Sequence, residues 1–335
     1  MRAAPPEEFE TSALTGLVAD GWGFDVEAAE YAAVGGGSYH WVVTDRAGTR
    51  RFVTGDDLET KPWLGDTRDL EFDGLRRAFD TALALHDAGL RFVVAPIPTT
   101  GGEAVLRVAS RYTIALFPFV AGQAGTYGEY DAATRAAVVS MLAELHRATP
   151  AVASVARSIG LELPGRGRLE TALAGLDEPW PGGPFSERAR EVLARHASDV
   201  MEQLALYDRL SADVASRNGE RVVTHGEPHA ANVLSTGESH VLVDWDTVAL
   251  APPERDLWIV VGDSSDEEAA RYAAATGHRV DQAALHFFRL RWDLNDIAAF
   301  TALLRSPHDE HEDTAKAYAG LTFLLAARDR WASLL

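Results

Sequence analysis

At 335 residues, 47% of them hydrophobic and 24% charged, the chain can bury a substantial core and has the composition of an ordinary globular protein. It holds no cysteine, which excludes disulfides, thiolate metal sites and a cysteine nucleophile. Its 50 acidic against 31 basic residues, a formal net charge of −19, oppose binding to nucleic acid or acidic lipid and favour a cationic small-molecule partner. Apolar runs such as residues 114–120 fall far short of the ~20 residues of a membrane span. The N-terminal MRAAPPEEFE lacks a basic-then-apolar signal layout, so the expected location is cytoplasmic. Only two lysines occur, Lys61 and Lys316, which makes Lys61 conspicuous.

The first third alternates strand and helix signals. Gly35-Gly36-Gly37 precedes a β-prone run at 38–44 (SYHWVVT), and Asp45 to Gly48 forms a turn into a second run at 51–54. Leu75, Phe79 and Leu83 give residues 70–90 helical spacing, with Gly89 as a stop. Three further β-prone runs follow at 92–95, 104–108 and 112–119, completing a compact α+β unit. Residues 131–147 read as an amphipathic helix, and 150–184 as Gly- and Pro-rich loop with one short helix near 169–176. Residues 186–216 are helical, and short apolar runs at 221–224 and 240–243 flank a polar segment. Helices at 281–304 and 313–335 close the chain.

That polar segment, 222–258, is the densest in chemistry. Glu227, Asn232 and Asp244 offer a carboxylate, an amide and a second carboxylate, which is the set phosphoryl transfer needs. One orients the attacking hydroxyl and takes its proton, and the other two give hard oxygen ligands to Mg²⁺. The run before Asp244 places it at a strand end, in a hairpin with 232–234. His225, Glu227 and His229 also spell H-x-E-x-H, a possible zinc trio on a strand, but Gly226 and Pro228 between them suit a loop better.

His225-Gly226-Glu227 through Asn232 resembles the H-G-D-x-x-x-x-N catalytic loop of the aminoglycoside phosphotransferases and related antibiotic kinases. Val243-Asp244-Trp245-Asp246 is similar to their metal-binding segment. Residues 253–257 (PERDL) resemble the stretch whose aspartate, here Asp256, braces the loop, and 142–146 (LAELH) resembles their L-x-x-L-H helix ending. The resemblance implies an α+β, bilobal protein-kinase-like fold: a small antiparallel-sheet lobe over residues 1–118 that binds nucleotide, and a larger, mainly helical lobe over 119–335. It also implies ATP or GTP with Mg²⁺ as cofactors. Glu227 takes the general-base position, with His225 beside it among the catalytic residues, and Asn232 and Asp244 become the metal ligands. Gly35, Gly36, Gly37 and Ser38 become the phosphate-covering loop, and Phe119, Val120 and Ala121 the hinge at the base. Asp246 is expected to cap the loop. Asp263, Asp266, Asp293 and Asp296 fall where acidic residues of the family line the acceptor cleft; Asp293 and Asp296, three apart on one helix face, are the substrate candidates.

Two departures stand out. Glu227 replaces the family's aspartate, lengthening the side chain by one methylene. Thr54 occupies the place of the strand lysine that holds the phosphates, so Lys61 is expected to reach in from a neighbouring loop, paired with Glu71 of the following helix. The implied substrate is an aminoglycoside or aminocyclitol antibiotic. Nucleoside antibiotics, macrolides and choline- or homoserine-like metabolites are alternatives, and a nucleotide-binding pseudokinase is a further one.

Overall fold

The β-prone runs of the first third pair into one antiparallel sheet, and a mainly helical chain follows it. This computed structural model describes residues 4–6, 9–128, 130–217, 219–237, 239–261 and 266–326. The chain begins with α1 (Thr11–Trp22), β1 (Val26–Tyr31), β2 (Tyr39–Asp45), β3 (Arg50–Asp57), α2 (Arg68–Asp87), β4 (Leu106–Val108) and β5 (Tyr112–Pro118). The strands are ordered β1-β2-β3-β5-β4, every neighbour antiparallel.

Side-chain alternation sets the two faces of this sheet. Tyr39, Trp41 and Val43 of β2 are buried with Phe9 and with Leu14 and Val18 of α1. The run YTIALF makes β5 a strand covered on both sides. Ile114 and Leu116 join the α1 cluster, whereas Ala115 and Phe117 pack with Leu75 and Phe79 of α2. Thr67 caps α2 by accepting the N–H of Leu70, and Leu75, Phe79 and Ala82 bury one face of that helix. The run at 92–95, expected as a strand, is not part of this sheet. Its backbone bonds to Leu242 instead, with Leu242 N–H to the Phe92 carbonyl at 2.7 Å and Val94 N–H to the Leu242 carbonyl at 3.1 Å.

The chain continues through β6 (Gln123–Ala124), α3 (Ala132–Arg147), α4 (Thr149–Val152), α5 (Arg166–Ala174), α6 (Ser186–Arg195) and α7 (Ala197–Ser216). Then come β7 (Val222–Thr224), β8 (Val233–Ser235), β9 (His240–Leu242), β10 (Ala249–Ala251), α8 (Glu254–Val261), α9 (Asp266–Thr276), α10 (Gln282–Arg305) and α11 (Glu312–Ala326). The last nine residues of the expected final helix lie outside the described residues, as does Asp263. Packing divides the chain into two compact units, residues 1–159 with 220–280, and 160–219 with 281–335. The first unit joins the sheet to the 222–258 segment. The second is helical: α10, capped by Asp281, packs on α5, α6, α7 and α11 through buried residues that include Phe287, Leu290 and Leu294. No helix among the described residues is long and apolar enough to cross a membrane.

Candidate active site

The loop that leaves β7 at Thr224 is moulded around one buried carboxylate. Asp256 of α8 accepts the backbone N–H of His225 at 2.8 Å, that of Gly226 at 2.6 Å, and Nε2–H of His146 at 3.0 Å. Burial by itself would raise this carboxyl, but His146, Arg255 and His225 outweigh it and hold Asp256 below the ordinary carboxylate range. His146 ends α3, and its Nδ1 meets the Tyr272 hydroxyl at 2.6 Å. Three motifs far apart in sequence thus converge on one acid. Gly226 stands at φ +100°, and a Cβ there would lie 2.2 Å from Arg255 Nη2, so the position needs glycine twice over. Arg255 binds Thr224 Oγ1 at 2.7 Å and the Thr247 carbonyl at 2.9 Å, tying the loop to the chain beyond Asp246.

His225 is fully buried with both ring nitrogens engaged. Nε2–H donates to the Val243 carbonyl at 2.9 Å, and Nδ1 accepts the Glu227 N–H at 3.2 Å. Burial, its leading cause, lowers the pKa of this imidazole and keeps it neutral. A ring committed at both nitrogens has none left for a metal, which removes the zinc trio. His225 is a positioning residue that joins the Glu227 loop to the Asp244 segment. The Glu227 carbonyl accepts Nδ2–H of Asn232 at 3.0 Å, so the backbone of Glu227 is fixed from both sides. That bond also leaves the amide oxygen as the atom Asn232 would give to a cation.

β8 and β9 form the expected hairpin, and the Val243 N–H donates to the Asn232 carbonyl at 3.0 Å, which sets Asp244 next to Asn232. Asp244 has φ +69°, a strained conformation for a residue other than glycine. It is open to solvent on one side, yet protein crowds it elsewhere. Burial, then the charges of Asp246 and Glu227, push its carboxyl well above the usual range. Local negative charge in excess, beside two hard oxygen donors, is what Mg²⁺ would relieve. No three His, Asp or Glu side chains among the described residues are arranged to hold an ion unaided.

Lys61 reaches this segment from β3. The strand ends in Asp56-Asp57, and a 3₁₀ turn (Leu58–Thr60) folds the chain back, capped by Asp57 accepting the Glu59 N–H at 3.1 Å. Arg111 braces Asp57 with bonds of 2.9 and 2.7 Å. Lys61, 1% exposed, then lies 2.5 Å from Asp246 Oδ2 and 3.0 Å from Asp56 Oδ1. Burial opposes its charge, but Asp246, Asp56 and Asp244 together raise its pKa. The partner expected for Lys61 is therefore displaced. Glu71 bonds Arg68 at 2.9 Å, one helical turn away, and Asp56 takes its place. Asp246, expected as a loop cap, is the other carboxylate on Lys61.

Gly35, Gly36 and Gly37 form an exposed loop ahead of β2, and a Cβ on Gly37 would stand 3.8 Å from Lys61 Nζ. Ser38 is buried, and its hydroxyl donates to Asp56 Oδ1 at 2.5 Å. Arg50 Cζ sits 3.7 Å over the Phe119 ring, Val120 packs beside the α2 cluster, and Ala121 is exposed. Asp293, buried, and Asp296, half-buried, lie on α10 in the second unit. Asp56 joins this cluster without a motif of its own, and Arg255 sits at a position of the 253–257 stretch to which the resemblance gives no role. The one sign of Asp56 in the sequence is a pair of acids closing a β-prone run.

Residues 22–320 match the Phosphotransferase enzyme family. "Protein StrN" of Streptomyces griseus is 29% identical over 269 residues, 78% of this chain and 79% of that protein. The spectinomycin phosphotransferase APH(9)-Ia, solved with ADP and spectinomycin, superposes with a TM-score of 0.71 at 16% identity, over 96% of this chain and 99% of that one. A microcompartment-associated aminopropanol kinase superposes at 0.61 and 13% identity, over 97% and 98%. The fold is that of these protein-kinase-like phosphotransferases.

Proposed function

This chain belongs to the Phosphotransferase enzyme family and is a small-molecule phosphotransferase, and from that premise we propose that it moves the γ-phosphoryl group of ATP, or GTP, to a hydroxyl of a cationic acceptor. In this reading residues 1–118 bind the nucleotide and 119–335 carry the catalytic loop, the metal ligands and the acceptor site. Gly35 to Ser38 cover the phosphates, Lys61 offsets their charge, and the backbone of Phe119 to Ala121 meets the base. Asn232 and Asp244 would hold Mg²⁺, which when bound supplies positive charge to a site that is otherwise too negative. The Glu227 carboxylate accepts the acceptor's proton while the hydroxyl oxygen bonds the γ-phosphorus. The bond from that phosphorus to the β–γ bridging oxygen breaks, and the nucleoside diphosphate departs.

One observation carries most of this. The first unit's single lysine, absent from the expected strand position, is buried against Asp246, two residues from Asp244. For the acceptor, the net charge of −19 favours a cation. The neighbour bound to spectinomycin supports an aminoglycoside or aminocyclitol antibiotic, with Asp293 and Asp296 proposed on the acceptor side. The aminopropanol and ethanolamine kinases among the similar structures share with it an amine-bearing, hydroxylated substrate. A nucleotide-consumption assay with Mg²⁺ over hydroxylated antibiotics and amino alcohols tests the reading. Asp244→Ala should cut turnover at least ~10³-fold and Glu227→Gln roughly 10²-fold. Full turnover by Asp244→Ala would end the kinase assignment.

A further inference from the structure

Asp56 is 1% exposed and has no solvent to share its charge. Its Oδ1 accepts both the Ser38 hydroxyl at 2.5 Å and Lys61 Nζ at 3.0 Å. Thr113 Oγ1 approaches its other oxygen at 3.5 Å. Ser38 is the last residue of the glycine loop, so one carboxylate oxygen holds both the end of that loop and the ammonium beneath it. The arrangement is local to the sheet. Asp56 lies on β3, paired with Thr113 of β5, and the turn after β3 brings Lys61 back onto the same strand's acid. Glu71 of α2 is occupied by Arg68 and takes no part.

We propose that Asp56 is a positioning residue for nucleotide binding: it fixes Lys61 under the glycine loop and makes the loop's end and the lysine one unit. The inference rests on the kinase reading above and adds a residue to it. A buried lysine whose second partner, Asp246, sits in the metal segment needs an anchor that stays put when phosphate and cation enter, and Asp56 is that anchor. Because Ser38 and Lys61 share one acceptor oxygen, a shift of either is felt by the other. Ser38 therefore acts through Asp56 rather than independently.

Calorimetric titration of MgADP into the full-length chain, paired with steady-state kinetics, tests this. Asp56→Asn keeps an acceptor oxygen but loses the charge. It should weaken MgADP binding and raise the nucleotide KM about tenfold, the loss expected from a charged hydrogen bond. Saturating kcat should stay within about threefold, and the acceptor KM unchanged. Ser38→Ala should weaken MgADP about threefold, and the double variant should bind no worse than Asp56→Asn alone. Glu59→Gln, on the exposed side of the same turn, should leave the nucleotide KM as it is. Wild-type affinity in Asp56→Asn overturns the inference, as does a loss spread equally over kcat, acceptor KM and melting temperature. Should Asp56→Asn not fold, Ser38→Ala decides, and unchanged MgADP affinity there overturns it. A wild-type chain that binds no MgADP sinks the kinase reading and this inference together, whereas normal wild-type binding with an indifferent Asp56→Asn sinks the inference alone.

Discussion

The catalytic loop and the lysine turn belong to the same unit and are held by opposite electrostatic means. Around Asp256, one anion receives N–H donors from His225, Gly226 and His146, and its pKa falls because His146, Arg255 and His225 outweigh burial. Around Lys61, one cation faces Asp56 and Asp246, with Asp244 close enough to add to its pKa, and Asp244 is itself driven upward. The first site is saturated and needs nothing from outside. The second carries more negative charge than its cation offsets, with Asp244, Asp246 and Asp56 around the one ammonium. A saturated anion site and an overcharged cluster are thus built from the same residue type.

Removing one member from each site is the sharpest way to break this contrast. Asp256→Ala orphans two buried backbone N–H groups, and urea denaturation should show a loss of about 3–5 kcal/mol that Mg²⁺ does not restore. Lys61→Met leaves carboxylates facing one another, and they can partly escape by taking up protons. The expected loss is about 2–3 kcal/mol, and millimolar Mg²⁺ should recover much of it as a rise in melting temperature. Equal Mg²⁺ responses in the two variants would erase the distinction. The smallest effect per group is the acid response. Burial leads the lowering of His225, and also of His229 and His40, both to about 4. Between that value and the ordinary histidine range near 6.5, the unfolded chain binds protons that the folded chain does not, so stability falls as pH falls. His229 and His40 each contribute up to about 1.4 kcal/mol per pH unit across the window. Denaturation midpoints at pH 7, 6 and 5 check the slope, and a flat profile would mean these rings titrate freely.

Where contacts are short in sequence, the residues announced them. Asn232 and Asp244 are joined by a tight hairpin, and the Glu227 loop spans five residues, so spacing alone implied their proximity. β2 and α2 were legible from periodicity, because each buries a face against a neighbour in the same unit, and β5 from an unbroken apolar run that is buried on both faces. β1 was not. VEAAEY is poor in β-branched residues and half exposed, and it is a strand because β2 offers it an open edge. The run at 92–95 has strand chemistry, but its partner comes from β9 rather than from the sheet beside it.

The two lysine-directed expectations fared unequally for a physical reason. That Lys61 would turn toward the Asp244–Asp246 segment was suggested by scarcity, one lysine being present in the first third and one called for. Which acid it meets did not follow, since Glu71 and Asp56 are equally acidic on paper and only the 3₁₀ turn and the Arg68 bond separate them. The sequence by itself determined the family and the α+β class, and brought Glu227, Asn232 and Asp244 together as candidates, because motif spacing and periodicity are local properties of the chain. Only the tertiary structure decided that Asp256 gathers three motifs, that both ring nitrogens of His225 are engaged, and that Asp56 and Asp246 share Lys61. Those are pairings between charges distant in sequence, and burial and distance, which no spacing rule encodes, select among many equivalent carboxylates.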